Sequence, residues 1–80
     1  IQNVEASFVA VDNGAQVSVS ARSMGDVNVQ VIMEKLGGGG HLTMAGAQLR
    51  NVSLEEAKRR LLDAISEYRE SQRTEKQKNS

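Results

Sequence analysis

The sequence predicts an α/β domain of the α+β type, in which a small mixed sheet with a β-hairpin packs against two to three helices. An alternating run over residues 16–22, preceded by an Asn-Gly pair, indicates the hairpin. Apolar residues at helical spacing behind a capping box at Ser53 indicate the longest helix. Eighty residues suffice for one small domain. Because Phe8 and Tyr68 are the only aromatic residues, the core must consist of Val, Leu, Ile, Met and Ala.

Composition excludes several classes of protein. The chain has no Cys and one His, which excludes a disulfide framework, a thiolate zinc site and a multi-histidine metal site. Ten basic and ten acidic residues give a net charge of zero, which argues against strongly electrostatic binding to nucleic acid or membrane. No apolar run approaches the roughly 18 residues of a transmembrane helix, and no signal peptide is recognisable. The chain begins at Ile1, so we expect a soluble piece of a longer protein.

The first half of the chain predicts a hairpin over residues 4–22. Residues 4–11 are rich in β-branched and aromatic types, and residues 16–22 alternate strictly between apolar and polar side chains. Between the two runs, Asn13 and Gly14 can adopt the positive φ angles of a type I′ turn. Arg22 lies on the polar face of the second strand, near its end.

A helix is predicted near residues 28–36, with Asp26 or Asn28 as its cap. Valines at alternate positions over 27–31 make a strand the competing interpretation. The glycines that follow favour the end of a helix. Beyond them, the small and apolar residues 42–49 predict a short helix, and a further strand is allowed near Leu49–Val52.

The last helix begins at Leu54, after a capping box formed by Ser53 and Glu56. The residues of its apolar stripe are Leu54, Ala57, Leu61, Ala64, Ile65 and Tyr68. Glu55–Arg59 and Glu56–Arg60 have the spacing of stabilising ion pairs. Residues 71–80 contain no apolar side chain, so we expect a disordered polar tail behind a domain of residues 1–70.

Four consecutive glycines, Gly37, Gly38, Gly39 and Gly40, precede the lone His41. Glycine loses more backbone entropy on folding than any other residue. The run is therefore a linker, a structural turn, or a place where backbone must approach something closely. If a helix begins at or after His41, its N-terminus and the glycine N–H groups would together form an anion site. The spacing matches neither a Walker A loop nor a dinucleotide fingerprint.

Three side chains near this run can bind an anion. His41 can donate a hydrogen bond to phosphate or act as an acid or base, although a packing or surface role is the alternative. Arg22 can bind phosphate in bidentate fashion, and Ser23 can add a hydroxyl donor. The alternative for Arg22 is a solvated strand end. No nucleophile–base pair and no carboxylate cluster is recognisable in the sequence.

The residues from Gly38 to Gly46, GGGHLTMAG, resemble the glycine-histidine signature of the DHH-associated domain, the C-terminal lobe of DHH-superfamily phosphoesterases. Where that family usually has Ala, this sequence has Met44. Residues 20–23, SARS, are similar to the family's strand end. Gly37 and residues 28–33, NVQVIM, resemble more closely the membrane-anchored cyclic-di-AMP phosphodiesterases of Gram-positive bacteria, the GdpP type. The resemblance covers about residues 4–66.

The resemblance implies that a separate DHH lobe of the same chain binds manganese and hydrolyses the substrate. The present lobe would bind the cyclic or linear dinucleotide, with Arg22, Ser23, the glycines 37–40 and His41 as its contacts. His41 would stabilise charge at the scissile phosphate. These residues would bind no metal themselves, and the chain alone is expected to be inactive and to make no membrane contact. The parent would lie at the cytoplasmic side of the membrane, and the resemblance leaves a homodimer open.

Two alternatives remain open on the sequence. The lobe could belong to an oligoribonuclease or single-strand exonuclease of the same superfamily, although few aromatic or basic residues are present for base stacking. It could also be a non-catalytic interaction module in which the glycines are purely structural.

Overall fold

The computed structural model describes residues 5–78, with side chains described through Arg73. The elements in chain order are β1 (Ala6–Asp12), β2 (Gln16–Ser23), α1 (Val29–Glu34), β3 (Gly39–Gly40), β4 (Met44–Arg50) and α2 (Leu54–Lys78). The α+β fold class predicted from the sequence is thereby confirmed. Val4, where the predicted hairpin begins, lies outside the described residues.

The strands form one sheet in the order β1-β2-β4-β3. All its pairings are antiparallel, whereas the sequence predicted a mixed sheet. Val19 lies opposite Ala10 on β1 and Ala47 on β4, so β2 is an inner strand and β1 forms one edge. Because β4 follows β3 directly and then pairs with β2, the glycine-rich segment becomes the other edge of the sheet.

The hairpin between β1 and β2 is confirmed, but its turn is not of type I′. Within the described residues, Asn51 is the only non-glycine residue with positive φ, so Asn13 does not have the conformation that this turn requires. Instead, the Asn13 side chain accepts hydrogen bonds from the N–H groups of Ala15 and Gln16, and Gly14 alone has a positive φ, 95°. The amide side chain takes over part of the turn's hydrogen bonding.

One face of the sheet is covered by α1 and α2, and the core lies there. The alternating residues of β2 and β4 that point into it are Val17, Val19, Ala21, Ala45, Ala47 and Leu49. From the helices, Ile32, Met33 and Leu61 are almost completely buried against them. The other face of the same strands has no element of the described chain packed on it, and we call it the open face.

Helix α1 is short and is held at both ends by hydrogen bonds. The Asn28 side chain accepts from the Val31 N–H, which confirms Asn28 as the cap. The Asn28 N–H donates to the Tyr68 hydroxyl at 2.9 Å, which ties the start of α1 to α2. At the other end, the N–H groups of Gly37 and Gly38 return to the carbonyls of Glu34 and Met33, with Gly37 at φ 85°. This is a Schellman termination, which needs a left-handed residue.

The predicted short helix after His41 is wrong, because these residues form strand β4. Ala45, Ala47 and Leu49 are buried at every second position, which is the periodicity of a strand. Their small side chains did not reveal this period in the sequence. Pairing with β2 over Gln16 to Arg22 determines the conformation, and β4 begins well before the strand considered near Leu49–Val52.

Helix α2 has the predicted start and the predicted stripe, with Ala57, Leu61 and Ala64 buried. The Glu56 N–H donates to the Ser53 hydroxyl, which confirms the Ser53 cap. The helix extends to Lys78, into the polar segment 71–80, whose disorder stays a prediction. Good helix formers such as Glu, Gln, Arg and Lys allow this continuation without apolar contacts. Residues 79–80 lie outside the described residues.

The outer surface of α2 carries a small ion network centred on Glu56. Hydrogen bonds from Arg59 and Arg60 lower the pKa of the Glu56 carboxyl from 4.5 to about 2. Arg59 also bonds Asp63, whereas the described contacts do not include the predicted Glu55–Arg59 pair. Over the described part of the chain, neither helix combines the length and the apolar character required to cross a bilayer.

Candidate functional site

The open face of the sheet differs from the covered face in charge and in side-chain size. Strand residues on this face are Ser7, Val9, Val11, Gln16, Ser18, Ser20, Arg22, Gly39, Met44, Gly46, Gln48 and Arg50. Among these strand positions of the described chain there is no carboxylate, whereas there are two arginines. The face is therefore locally cationic although the whole chain is neutral.

Arg22, Met44 and His41 form a row across one end of the open face. Arg22 lies opposite Met44 in the pairing of β2 with β4. The His41 N–H donates to the Met44 carbonyl at 2.7 Å, which extends the pairing of β3 with β4 by one step. Since neighbouring strands lie ~4.8 Å apart, the backbones of Arg22 and His41 are about 10 Å apart. Their long and exposed side chains can therefore reach one common anion.

At three of the four positions in the tract, the structure explains why the residue is glycine. Gly37 has the left-handed conformation that ends α1. A Cβ on Gly38 would overlap the Gly46 carbonyl and lie 2.6 Å from the Ala47 Cα. A Cβ on Gly40, whose φ is 145°, would lie 2.6 Å from the Ala45 Cα. The glycine tract thus packs its backbone directly onto β4, and side chains at these positions would force it away.

Gly39 is different, because a Cβ there would meet nothing within 4 Å and its φ is not in the left-handed region. It lies opposite Gly46 on the open face, next to the row formed by Arg22, Met44 and His41. Together, Gly39 and Gly46 form a half-exposed patch of backbone that carries no side chain of its own, and we call it the bare patch. The packing of the described residues gives no reason for glycine at position 39.

The predicted anion site built from a helix N-terminus does not form, because strand β4 rather than a helix comes directly after the His41 loop. The tract instead follows the C-terminal end of α1. Its N–H groups at Gly37, Gly38 and His41 donate to carbonyls within the chain. Any anion at this site must therefore be bound mainly by side chains. Arg22 and His41 are the nearest side chains that can donate hydrogen bonds to it.

Ser23 is only 8% exposed, and its hydroxyl is engaged within the fold. The hydroxyl accepts from the Gly25 N–H and lies within hydrogen-bond distance of the carbonyls of Glu5 and Gly25. Its N–H donates to the Thr43 carbonyl, which ties the end of β2 to the loop behind His41. These bonds hold Ser23 within the fold, next to Arg22 in sequence and against the loop that contains Thr43.

Two shallow cavities lie on the open face and share Ser20. The first, of about 410 Å³, is lined on this face by Ser7, Val9, Ser20, Arg22 and Met44. The second, of about 700 Å³, is lined on this face and along the β4 edge by Ser18, Ser20, Gly37, Gly38, Gly46, Gln48 and Arg50. The first is more apolar, because Val9 and Met44 contribute to it, and the second is more polar.

A third cavity, of about 540 Å³, lies between the start of β1 and the C-terminal half of α2, where Phe8, Ile65 and Tyr68 line it. It is remote from the glycine tract. We place the candidate site on the open face, because the unpaired cations and the bare glycine backbone converge there.

Sequence analysis missed Arg50, Gln48 and Ser20 as site residues. For Gln48 and Arg50 the signal was the alternation of β4, of which residues 44–49 were predicted to be helical, and for Ser20 it was the alternation of β2; all three lie on the same face as Arg22. Over the described chain, no three His, Cys, Asp or Glu side chains come together as a possible metal site.

Comparison with known proteins places this geometry in a family. A sequence model described as the DHHA1 domain matches residues 1–71. The cyclic-di-AMP phosphodiesterase GdpP of Geobacillus thermodenitrificans is 58% identical over 69 residues, which cover 85% of this chain and 10% of the relative. The bifunctional oligoribonuclease and PAP phosphatase NrnA of Thermus thermophilus is 44% identical over 72 residues, covering 84% of this chain and 22% of the relative.

Among solved structures, a pGpG-specific phosphodiesterase, PggH from Vibrio cholerae, superposes with a TM-score of 0.61. The match covers 81% of this chain and 24% of that chain, at 19% identity, and so concerns the fold. The present chain spans only about a tenth of the length of GdpP and about a fifth of that of NrnA.

Proposed function

The chain belongs to the DHHA1 domain family, and we propose that it is the substrate-binding lobe of a manganese-dependent cyclic-dinucleotide phosphodiesterase. Cyclic-di-AMP is the proposed substrate, because a relative 58% identical over most of this chain carries that activity in its name. The reaction itself would take place on a DHH lobe beyond these residues. The open face of the sheet is the proposed nucleotide-binding surface.

Gly39 is the observation that carries this proposal. The fold itself leaves room for a larger side chain at this position, yet the residue is glycine and lies beside His41 and Arg22. Glycine is expected where backbone must come close to a ligand. A nucleotide phosphate lying over the bare patch would contact the backbone there and the two side chains on its flank.

The two polar side chains of the row, Arg22 and His41, each have a chemical role in this proposal. Arg22 is exposed and has no described ion-pair partner, so its guanidinium is free to bind a phosphate through two N–H groups. His41 is exposed and can donate an imidazole N–H to a phosphate oxygen. Both donors would stabilise negative charge that develops on the phosphate during hydrolysis.

Manganese would supply Lewis-acid activation of the phosphate and of water in the proposed DHH lobe. The described residues contain no cluster of ligands that fits such an ion, so we assign none of its steps to this chain. The roles left to this lobe are to bind the dinucleotide, to orient its phosphate and to neutralise its charge.

Exposed apolar residues at the same end of the sheet support contact with another lobe. Met24, Leu42 and Met44 are 58%, 59% and 54% exposed, and they surround the Arg22–His41 end. Such side chains, grouped next to a polar site, are typical of a surface that is covered in the assembled protein. We propose that the DHH lobe closes over this end, and that the parent lies at the cytoplasmic side of the membrane.

A titration of the ¹⁵N-labelled 80-residue chain with cyclic-di-AMP and its linear product, pApA, tests the proposal by NMR. We expect amide shifts that include residues 37–46 and the neighbourhood of Arg22, without hydrolysis. Arg22→Gln should weaken binding about tenfold, the loss of one charge-assisted hydrogen-bonding group. Lys58→Gln, the same charge change on the exposed surface of α2, should have no effect.

Three outcomes would count against the proposal. Shifts only in α2, or no shifts at millimolar ligand, would leave the glycines structural, as in the interaction-module alternative. Tighter binding of longer oligoribonucleotides than of either dinucleotide would favour the oligoribonuclease alternative, which the similarity to NrnA supports.

A further inference from the structure

The second cavity of the open face contains a cation that the proposed site does not use. Arg50 ends strand β4, opposite Gln16, and its side chain is exposed. In the described part of the chain, its guanidinium has no ion-pair partner. Gln48 lies two residues before it on the same face, opposite Ser18. An unpaired cation thus lies beside an amide and a hydroxyl, all facing one cavity.

This cavity exists because strand β3 is only two residues long. It pairs with β4 at Gly46 and Ala45, so the β4 residues beyond Gly46 have no partner strand on that side among the described strands. Gly38 packs against Ala47 and carries no side chain that could fill the space. The glycine tract therefore leaves both the β4 edge and the adjoining open face accessible.

The two cavities are neighbours on the sheet and meet at Ser20. Ser20 lines both, and it lies opposite Gly46 at the centre of the bare patch. Met44 in the first cavity and Gln48 in the second are four residues apart on β4, which corresponds to about 13 Å along a strand. An extended dinucleotide is long enough to span this distance and to reach both cavities.

We propose that the cavity at Arg50 is a second nucleotide subsite, which binds the far phosphate and sugar of the dinucleotide while Arg22 and His41 bind the near phosphate. This inference rests on the proposed function and adds Arg50 as the residue that would distinguish a dinucleotide from a mononucleotide. Charge supports it, since each end of the open face carries one arginine and its strand positions carry no carboxylate. The chemistry of the linings supports it as well: Gln48 and Ser18 suit sugar hydroxyls and phosphate, and Val9 and Met44 suit a base.

The test compares two ligands on two matched variants of the 80-residue chain. Adenosine 5′-monophosphate and pApA are titrated by NMR into Arg50→Gln and Arg22→Gln. Arg50→Gln should weaken pApA binding about five- to tenfold, which is at the low end for the loss of a charge-assisted contact. The same variant should leave the affinity for the monophosphate within about twofold of that of the unmutated chain. Arg22→Gln should weaken both ligands. Lys58→Gln controls for the change in net charge.

A second variant guards against an effect of Arg50→Gln on folding. Gln48→Glu places a negative charge in the second cavity and should also weaken pApA selectively. Equal weakening of both ligands by Arg50→Gln would show a general charge effect, and no weakening of either would show that Arg50 is solvated; both overturn the subsite. In both cases an intact effect of Arg22→Gln preserves the proposed function. If the unmutated chain binds neither ligand, both proposals are overturned.

Discussion

The covered and the open faces of the sheet are built from alternate residues of the same strands, yet they have different roles. On β2 and β4, the covered positions hold Val, Ala and Leu, which the helices bury. The open positions hold Ser, Arg, Gly, Met and Gln, which remain accessible. The comparison teaches that the stability of this domain and its candidate function occupy opposite sides of a single sheet. Substitutions on the two sides should therefore have separable effects.

The largest expected effect is a cavity beneath α2. Leu61 is 2% exposed, so Leu61→Ala should lower the free energy of unfolding by about 3 kcal/mol, from lost burial and an unfilled cavity. Met44→Ala, on the open face at 54% exposure, should change it by less than ~0.5 kcal/mol. Urea unfolding followed by circular dichroism measures both. Ile32→Val, expected to lower it by about 1 kcal/mol, keeps the test usable if Leu61→Ala does not fold. Similar losses on the two faces would contradict the division.

Two adjacent glycines, Gly38 and Gly39, test the same separation of stability from binding. Gly38→Ala should lower the free energy of unfolding by about 2 kcal/mol, because its Cβ meets the backbone of β4. Gly39→Ala should be neutral or stabilising by up to ~1 kcal/mol, since its Cβ meets nothing and alanine restricts the unfolded chain. The same Gly39→Ala variant should nevertheless weaken binding of pApA in the NMR titration. If Gly39→Ala binds as well as the unmutated chain, the bare patch is not a ligand surface.

The smallest expected effect concerns the ion network on the outer surface of α2, which belongs to neither face. Hydrogen bonds from Arg59 and Arg60 hold the pKa of Glu56 near 2 rather than at 4.5. The stability that they add is present above pH 4.5 and is lost as the pH falls towards 2, because the native carboxylate must then take up a proton. Glu56→Gln should remove this part of the pH dependence. The urea concentration at the unfolding midpoint should then change less between pH 2 and 6 in the variant than in the unmutated chain. Parallel curves for the two proteins would show that the network contributes nothing.

Much of the fold was predictable because its signals are local. The alternation over residues 16–22, the Asn28 and Ser53 caps and the stripe on α2 each depend on residues within one or two turns of chain. The glycine-histidine sequence gave the family resemblance, which the matches to the DHHA1 domain and to GdpP confirm. The same locality explains the error in the turn, since Asn13 and Gly14 permit a type I′ turn but do not require it.

The prediction of a helix over residues 42–49 failed because a distant strand determines their conformation. Residues 42–49 are small enough for either a helix or a strand, and only pairing with β2 makes them a strand. Ser23 stays a predicted phosphate contact, and the hydrogen bonds of its hydroxyl with Glu5 and Gly25 could not be read from the sequence. The extension of α2 past Ser71 depends on the helix propensity of residues that follow an already nucleated helix, which composition alone does not measure.

By itself, the sequence determined which residues carry the candidate chemistry: an arginine at a strand end, a glycine tract and one histidine. Only the tertiary structure decided how they meet. Pairing of β4 with β2 places Met44 between Arg22 and His41, and it brings Arg50 onto the same face. The physical reason is that caps and periodicity act between near neighbours, whereas the register of a sheet is fixed by contacts between residues far apart in the chain.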